Sequence, residues 1–316
     1  MYYAGIDLGG TNIATGIVNE KNEIVAKVSV KTLKERPAEE VIKDMYNSVA
    51  MACEKAGISV DDIESIGIGA PGTIDPKNGI VLYSNNFGWE NVMLFDILKK
   101  YTNKPLYVSN DANCGALGEF IAGGAKGCEN AVVITVGTGV GGGIIINGKI
   151  LEGFNGAGGE FGHSILIKDG EPCTCGRKGC LEAYASVTAL INQTKAKMKQ
   201  FPNSLMNKLA QEDGKVNGKT AFAAAKKGDT AAQEVVDTFL SYLAEGIVNA
   251  INIFQPDVVL IGGGISNEGD YILNPLREFA DKYSYASKQL KNKTQIRRAT
   301  LSNDAGIVGA AMLWKN

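Results

Sequence analysis

The stretch YAGIDLGGTNIATGIVNEKNEIVAKVSV, residues 3–30, decides the fold. It predicts three short strands, separated by a glycine turn at residues 8–12 and by a polar turn at residues 19–23. A second strand follows Thr11 where a dinucleotide-binding fingerprint would have a helix, so these glycines are predicted to close a hairpin. The backbone N–H groups of such a hairpin can hold phosphate oxygens, although glycine turns also join strands in proteins that bind nothing.

The same pattern returns in the middle of the chain. Residues 131–136 form an apolar stretch, residues 137–143 are rich in glycine, and residues 144–146 are apolar again. Asn147-Gly148 is then a strong hairpin signal leading into Lys149-Ile150. Strand, glycine turn, strand, hairpin and strand therefore occur twice, which predicts two related lobes.

The remaining segments alternate between helical and strand patterns, as expected for a mixed α/β protein. The long helix is predicted to end before Pro256, and the strand after it runs into Gly262-Gly263-Gly264. The predicted elements are helices over residues 37–57, 112–122 and 235–254, strands at residues 66–70, 106–108 and 257–261, a mobile loop at residues 211–220 and a terminal helix from Ala305.

Composition excludes several classes of protein. The chain has 316 residues, with 45% hydrophobic and 21% charged residues, which fits two compact domains and a cleft between them. A formal net charge of -2 without a basic run gives no reason to expect a nucleic acid or a membrane as partner. The first residues show no basic and apolar leader, and no apolar stretch is long enough to span a membrane, so a cytoplasmic location is expected.

The cysteines and the single histidine predict a metal site. His163 precedes three crowded cysteines with the spacing His-x9-Cys-x-Cys-x4-Cys, formed by His163, Cys173, Cys175 and Cys180. Four nitrogen and sulfur ligands suit tetrahedral Zn²⁺, and a closed set of four leaves no position for a catalytic water, so the zinc should be structural. Gly176 and Gly179 would permit a tight knuckle. A lone histidine is more often a hydrogen-bonded core or surface residue, but the three nearby thiols favour the metal.

The other three cysteines have a simpler interpretation than metal binding. Cys53, Cys114 and Cys128 are scattered and are expected to be small core residues.

The two glycine turns, together with Gly262-Gly263-Gly264 after a buried strand, resemble the nucleotide site of actin-like, hexokinase-like proteins. On that resemblance three turns hold the phosphates and adenosine of ATP, and Asp7 lies beside the phosphates, where its carboxylate suits Mg²⁺. The turn residues are Gly9, Gly10, Thr11, Gly137, Thr138, Gly139, Gly262, Gly263 and Gly264.

A more specific resemblance comes from Glu160-Phe161-Gly162-His163 and from the cysteine motif that ends at Glu182. These motifs are similar to those of the ROK family, named for its repressors, open reading frames and kinases. Further matching motifs occur in family order at residues 7–11, 69–72, 110–113 and 304–310. The resemblance implies a two-lobe α/β fold of the actin-like, hexokinase-like (ribonuclease H-like) ATPase type. The expected small lobe is residues 1–110 with 303–316, and the large lobe, with the zinc knuckle, is residues 111–302.

The resemblance also implies an activity: ATP-dependent phosphorylation of a hexose, glucose to glucose 6-phosphate, as in glycolysis. Asp111 then matches the aspartate that accepts the proton of the attacking hydroxyl, and Asn110 binds a neighbouring hydroxyl. From its position alone, Asp111 is equally suited to cap the following helix. Closure of the lobes around the sugar would exclude water, and the family forms homodimers or homotetramers.

The other end of the sugar ring is expected to bind Glu160, His163 and Glu182, with one ring nitrogen of His163 on zinc and the other toward the sugar. Without the motif, Glu160 and Glu182 would be ordinary surface residues. Gly72 and Asn85 are weaker candidates for sugar contacts.

Two alternatives stay open. Kinases for N-acetylmannosamine, N-acetylglucosamine, mannose or fructose share the family pattern, although fructokinases tend to have a further histidine in the knuckle. A sugar-responsive repressor would carry an added helix-turn-helix module, and the first glycine turn begins only a few residues after Met1. The absence of room for that module and the presence of Asp111 favour the enzyme.

Overall fold

Two five-stranded sheets with the same strand order form the frame of the fold, which the computed structural model describes over residues 1–316. The strands are β1 (Tyr2–Leu8), β2 (Asn12–Asn19), β3 (Ile24–Lys31), β4 (Ile63–Ala70), β5 (Thr73–Asp75), β6 (Ile80–Ser84), β7 (Trp89–Met93), β8 (Leu106–Asn110), β9 (Ala131–Val136), β10 (Val140–Ile146), β11 (Lys149–Ile150), β12 (Val258–Gly262) and β13 (Gln295–Arg298). The helices are α1 (Ala38–Ala56), α2 (Leu94–Leu98), α3 (Asp111–Ala122), α4 (Glu182–Ala185), α5 (Val187–Gln200), α6 (Leu205–Glu212), α7 (Thr220–Ala225), α8 (Thr230–Phe254), α9 (Asp270–Tyr283) and α10 (Ala305–Ala311).

The strand order confirms the repeat that the sequence predicts. The first sheet has the order β3-β2-β1-β4-β8 and the second the order β11-β10-β9-β12-β13. In the first, β1 pairs antiparallel with β2 and parallel with β4. In the second, β10 and β11 are antiparallel and β12 and β13 are parallel. A small third sheet, β5-β6-β7, was not predicted.

Most predicted elements are confirmed within a few residues, including the three strands of residues 3–30 and the helices that became α1, α3, α8 and α10. One turn prediction was wrong. Residues 140–143 were assigned to the second glycine turn, but they belong to β10, so that turn is limited to residues 137–139. Glycine is compatible with an extended strand. At position 143 it also permits close packing on α3, since a Cβ on Gly143 would be 2.4 Å from the Ala116 Cβ.

The chain divides into two compact units, residues 1–133, 142–159 and 299–316 in unit 1 and residues 134–141 and 160–298 in unit 2. The lobe boundaries expected from the sequence stay a prediction. No helix of the chain is both long enough and apolar enough to cross a membrane.

Unit 1 is built around β1, which is buried on both faces. One face, with Ala4, Ile6 and Leu8, packs with apolar residues of α1. The other face receives α10, because glycines leave the sheet backbone bare: a Cβ on Gly5 would lie 2.0 Å from the Ile307 carbonyl oxygen, and a Cβ on Gly67 1.8 Å from that of Ala310. The terminal helix therefore packs directly on β1, which carries Asp7, and on β4.

Candidate functional site

The first glycine turn joins β1 to β2 in unit 1. Gly9 N–H donates to the Asn12 carbonyl oxygen at 3.0 Å, and the Thr32 hydroxyl donates to the Gly9 carbonyl oxygen at 2.6 Å. Thr11 also belongs to this network, since its carbonyl oxygen accepts from Thr32 N–H at 3.1 Å. A Cβ on Gly9 would be 2.9 Å from the Asn12 carbonyl oxygen, whereas a Cβ on Gly10 would meet no atom within 4 Å. The fold therefore requires glycine at position 9 and leaves position 10 open.

The second turn, in unit 2, is held by α4 and α5. Val187 N–H donates to the Gly137 carbonyl oxygen at 2.8 Å, and the Thr188 hydroxyl donates to the Thr138 carbonyl oxygen at 2.7 Å. A Cβ on Gly139 would lie 2.2 Å from the Glu182 carboxylate, whereas a Cβ on Gly137 would meet nothing within 4 Å. At Gly139 a side chain would therefore displace the Glu182 carboxylate, whereas position 137 is open.

The third turn follows Gly262, the last residue of β12. Gly263 has a φ of 79°, and a Cβ there would lie 2.2 Å from the Val136 carbonyl oxygen. Gly264 has open space at its Cβ position. All three predicted turns thus contain an open glycine, at positions 10, 137 and 264.

Asn110 and Asp111 lie where β8 ends and α3 begins, in unit 1. The helix is capped by Asn110, whose Oδ1 accepts from Ala112 N–H at 2.8 Å, while its Nδ2 donates to the Gly72 carbonyl oxygen at 3.0 Å. Asp111 Oδ1 also accepts from Ala112 N–H, at 2.9 Å. Because Asn110 fills the N-cap position, helix capping does not depend on the Asp111 carboxylate.

Gly72 and Asn85 are the weaker sugar candidates of unit 1. Gly72 has a φ of 111°, and a Cβ there would lie 2.1 Å from the Tyr83 carbonyl oxygen, so the turn after β4 requires glycine. Its carbonyl oxygen is the acceptor for Asn110 Nδ2. Asn85 is exposed, and its Oδ1 accepts from the Tyr83 hydroxyl at 3.4 Å.

Asp7 and Asp111 are half-buried carboxylates of unit 1, and the charge of Asp111 acts on Asp7. Burial raises the pKa of Asp7 to about 6, with a further rise from the Asp111 charge and a smaller opposing effect of Lys27. Burial also raises the pKa of Asp111, against the lowering effect of the Ala112 N–H. A carboxylate with a raised pKa is a better proton acceptor at neutral pH than an ordinary aspartate.

The predicted metal ligands come together in unit 2. The ligand atoms of His163, Cys173, Cys175 and Cys180 all lie within 4.8 Å of one another. Cys175 Sγ is 3.7 Å from Cys180 Sγ, and Cys173 Sγ is 3.6 Å from His163 Nδ1. A zinc tetrahedron with Zn–S of about 2.3 Å and Zn–N of about 2.0 Å has edges of roughly 3.5–3.8 Å. The four residues therefore fit zinc.

The knuckle geometry explains its glycines. Gly176 and Gly179 have φ values of 88° and 86°, and a Cβ on Gly179 would lie 1.7 Å from the Ile167 carbonyl oxygen. Because Nδ1 of His163 faces Cys173, the other ring nitrogen, Nε2, stays available for a different partner.

Glu182 begins α4 and links the knuckle to the second glycine turn. Its Oε2 accepts from Val140 N–H at 3.0 Å, and its Oε1 accepts from the Thr174 hydroxyl at 3.0 Å. Glu160 is exposed, and its carbonyl oxygen accepts from His163 N–H at 3.1 Å. Glu160 and His163 are thus neighbours on one 3₁₀ turn, while Glu182 lies on the far side of the cysteine motif in sequence and close to Cys173 in space.

Comparison with known proteins identifies the family. The ROK family model matches residues 3–316. The chain belongs to the ROK family. A glucokinase of Thermotoga maritima is 40% identical over 315 residues, covering 98% of this chain and 96% of that protein.

Solved structures and longer relatives of ROK type extend the comparison. The crystal structure of a ROK family glucokinase from Streptomyces griseus in complex with glucose and AMPPNP has a TM-score of 0.81 and 35% identity, and covers 99% of both chains. This likeness confirms the predicted two-lobe, hexokinase-like α/β fold. A xylose repressor of Caldicellulosiruptor bescii is 31% identical, and the match covers 96% of this chain and 76% of the repressor.

Two residues near the candidate site, Lys27 and Ser109, were not indicated by the sequence. Lys27 of β3 forms an ion pair with Asp304 and lies within electrostatic range of Asp7. Ser109 donates its hydroxyl to Glu152 at 2.6 Å, directly before Asn110. The sequence feature that could have indicated Lys27 is a charged residue inside the apolar pattern of the strand IVAKVSVK.

Proposed function

We propose that this ROK chain transfers the γ-phosphoryl group of ATP to a hydroxyl group of glucose, giving glucose 6-phosphate. The observation that carries the proposal is Asp111, a half-buried carboxylate with a raised pKa that begins a helix in the same unit as Asp7 and the first glycine turn. The near-full-length similarity to glucokinases supports this substrate and donor.

The three open glycines support ATP as the phosphoryl donor. Neither a left-handed backbone nor a neighbouring protein atom requires glycine at positions 10, 137 and 264. Glycine at these positions makes the folded protein less stable than alanine would, because the unfolded chain has more conformational freedom with glycine and loses more of it on folding. Close approach of a ligand to the backbone explains its presence, since phosphate oxygens accept hydrogen bonds from bare N–H groups. The three turns, residues 9–11, 137–139 and 262–264, are therefore the proposed contacts for the phosphates and adenosine.

Asp7 is the proposed contact for Mg²⁺, directly or through water. Its carboxylate is a hard oxygen donor at the end of β1, next to Gly9 and Gly10. When bound, Mg²⁺ neutralises charge on the transferred phosphoryl group.

Asp111 is the proposed general base. An alcohol attacks phosphorus poorly unless a carboxylate orients it and takes its proton, and Asp111 retains acceptor capacity beyond the single bond to Ala112 N–H. The neighbouring Asn110 is proposed to contact an adjacent sugar hydroxyl with Gly72 and Asn85 nearby. Asn110 also uses both of its amide atoms within the protein, so a sugar hydroxyl would share an existing hydrogen bond.

Glu160, His163 and Glu182 are the proposed partners of the hydroxyls at the other end of the ring. Carboxylates suit this role because each accepts hydrogen bonds from two hydroxyls. A structural zinc on His163 Nδ1, Cys173, Cys175 and Cys180 would fix the imidazole plane, leaving Nε2 for the sugar. All four ligand positions are protein atoms, so the zinc has a structural role in this proposal.

The decisive experiment is a coupled assay of ADP release with purified protein, ATP and Mg²⁺ across glucose, mannose, fructose, N-acetylglucosamine and N-acetylmannosamine. Glucose is expected to give the highest kcat/KM, and a reaction without sugar corrects for ATP hydrolysis. A stronger reaction with another hexose would move the chain to that kinase class. Glucose binding without phosphorylation of any sugar would instead support the repressor alternative, which the similarity to a xylose repressor keeps in view.

A further inference from the structure

Glu119, in the last turn of α3, is a buried carboxylate that binds backbone N–H groups. Only 2% of its surface is exposed. Its Oε1 accepts from Leu301 N–H at 2.7 Å, and its Oε2 accepts from Thr300 N–H and Gly124 N–H, both at 2.9 Å. The Thr300 hydroxyl adds a longer contact of 3.4 Å. Hydrogen bonds to a charged acceptor are stronger than neutral ones, so this carboxylate is a firm attachment point.

The segment that Glu119 holds has no regular structure of its own. Thr300 and Leu301 lie after β13 and before α10, outside any strand or α-helix. Thr300 is exposed and Leu301 is half-buried, and the side chain of Glu119 supplies the acceptors for their backbone N–H groups in place of a strand ladder. The bonds join residues 181 and 182 positions apart in the sequence.

The held segment leads directly into the helix that touches Asp7. After Leu301 a 3₁₀ turn of three residues precedes α10, and a Cβ on Gly306 would lie 2.9 Å from Asp7 Cγ. Asp304 on this turn forms the ion pair with Lys27. The first turn of α10 is therefore one wall of the Asp7 environment.

The two helices are in backbone contact along their length. A Cβ on Gly118 would lie 2.1 Å from the Ala305 carbonyl oxygen, and a Cβ on Gly309 1.7 Å from that of Cys114. A contact this close allows almost no change in the separation of the helices, but these contacts alone do not fix the irregular segment between β13 and α10. Glu119 does, and it lies on the helix that begins with Asp111.

We infer that Glu119 is a positioning residue: by attaching Thr300 and Leu301 to the end of α3, it keeps the first turn of α10 against Asp7 and so sets Asp7 relative to Asp111. This inference rests on the proposed function, in which Asp7 contacts Mg²⁺ and Asp111 is the base. Misplacing a positioned group by about 1 Å can lower the reaction rate by about 10²-fold.

The test replaces Glu119 with glutamine and with aspartate. Glutamine has nearly the same shape but one acceptor oxygen, so its NH₂ group would face an N–H donor. We expect Glu119→Gln to lower kcat about tenfold with the KM for glucose nearly unchanged. Calorimetry should show weaker binding of AMPPNP in the presence of Mg²⁺ and unchanged binding in the presence of a chelator. Glu119→Asp keeps the charge on a shorter side chain, so its kcat and its Mg²⁺-dependent binding of AMPPNP should lie between those of Glu119→Gln and those of the unchanged protein.

Thr300→Val is the matched control, because it removes only the longer hydroxyl contact and keeps both N–H bonds. It should behave like the unchanged protein. A purely structural role for Glu119 predicts a lower thermal midpoint with normal kcat and normal Mg²⁺-dependent binding well below that midpoint, and this result in either folded variant would overturn the inference. Hydrogen exchange of the unchanged protein gives a further test, since rapid exchange at Thr300 and Leu301 would also overturn it. If the unchanged protein does not phosphorylate glucose, the proposed function fails, but the binding and exchange measurements still decide the role of Glu119.

Discussion

The first and second glycine turns occupy the same place in two sheets of the same strand order, yet different groups pack behind them. Behind the first lie two carboxylates, Asp7 and Asp111, and the terminal helix. Behind the second lies Glu182, which connects the turn to the cysteine knuckle. The repeated strands thus supply a similar backbone in both cases, and the residues packed against it supply different chemistry.

The comparison predicts that changes behind the first turn act mainly on turnover, and Asp111→Asn should have the largest effect. Asparagine cannot accept the proton of the sugar hydroxyl, so kcat is expected to fall by roughly 10²–10⁴. The helix cap is Asn110, and the substituted side chain would still offer an amide oxygen to Ala112 N–H, so the stability change should be under about 1 kcal/mol. Both kcat and thermal midpoint are measured on one preparation.

A folded Asp111→Asn protein that retained more than about a tenth of the normal kcat would rule out the assigned role. Nucleotide binding, measured in the same preparation, should stay unchanged. Its loss would indicate a distorted site and not a missing base.

Changes behind the second turn should act on stability and on sugar affinity together. Elemental analysis is expected to return about one zinc per chain. Cys175→Ser should lower the zinc content, lower the thermal midpoint and raise the KM for glucose, because the same knuckle carries His163 and contacts Glu182. The matched control is Lys178→Ala, an exposed knuckle position that is not a ligand. Zinc-free protein with full stability and normal KM would contradict this prediction.

Substitutions in the glycine turns themselves should lower ATP affinity without lowering the stability of the fold. Gly10→Ala places a methyl group in open space, so the thermal midpoint should stay or rise, while ATP affinity should fall by about tenfold. Gly115→Ala is the control: its Cβ position is equally open, but it lies within α3 and is not part of a glycine turn. Alanine there should stabilise the helix by up to about 1 kcal/mol and leave ATP affinity unchanged. Equal ATP affinity in both variants would mean that the first turn does not contact the nucleotide.

The sequence predicted the local elements of both turns and, through the family resemblance, named Asp7, Asp111 and Glu182 as site residues, but it did not predict the contacts that hold them. Periodicity and glycine spacing predicted the strands of residues 3–30, and cysteine spacing predicted a cluster that the structure brings together. The pairing of Glu119 with Thr300 and Leu301 left no local signal, because it depends on packing between segments about 180 positions apart. The small sheet β5-β6-β7, with strands of three to five residues, was also missed.

The smallest expected effect is on the pH dependence of stability, and it concerns Asp7 in protein without nucleotide or metal. Burial and the Asp111 charge raise the pKa of Asp7 from 3.8 to about 6, so the folded protein binds this proton more tightly than the unfolded chain does. The stabilising contribution of the protonated carboxyl is complete below pH 3.8 and is lost as pH rises through about 6. Asp7→Asn should therefore change the thermal midpoint little at pH 4 and raise it at pH 7.5, relative to the unchanged protein. An exposed carboxylate gives the control, and Glu20→Gln should show no such pH-dependent difference beyond its surface contact with the N-terminus. An equal shift of the midpoint by Asp7→Asn at both pH values would mean that the pKa of Asp7 is not raised in the folded protein, and the half-buried carboxylates would then not distinguish the first turn from the second.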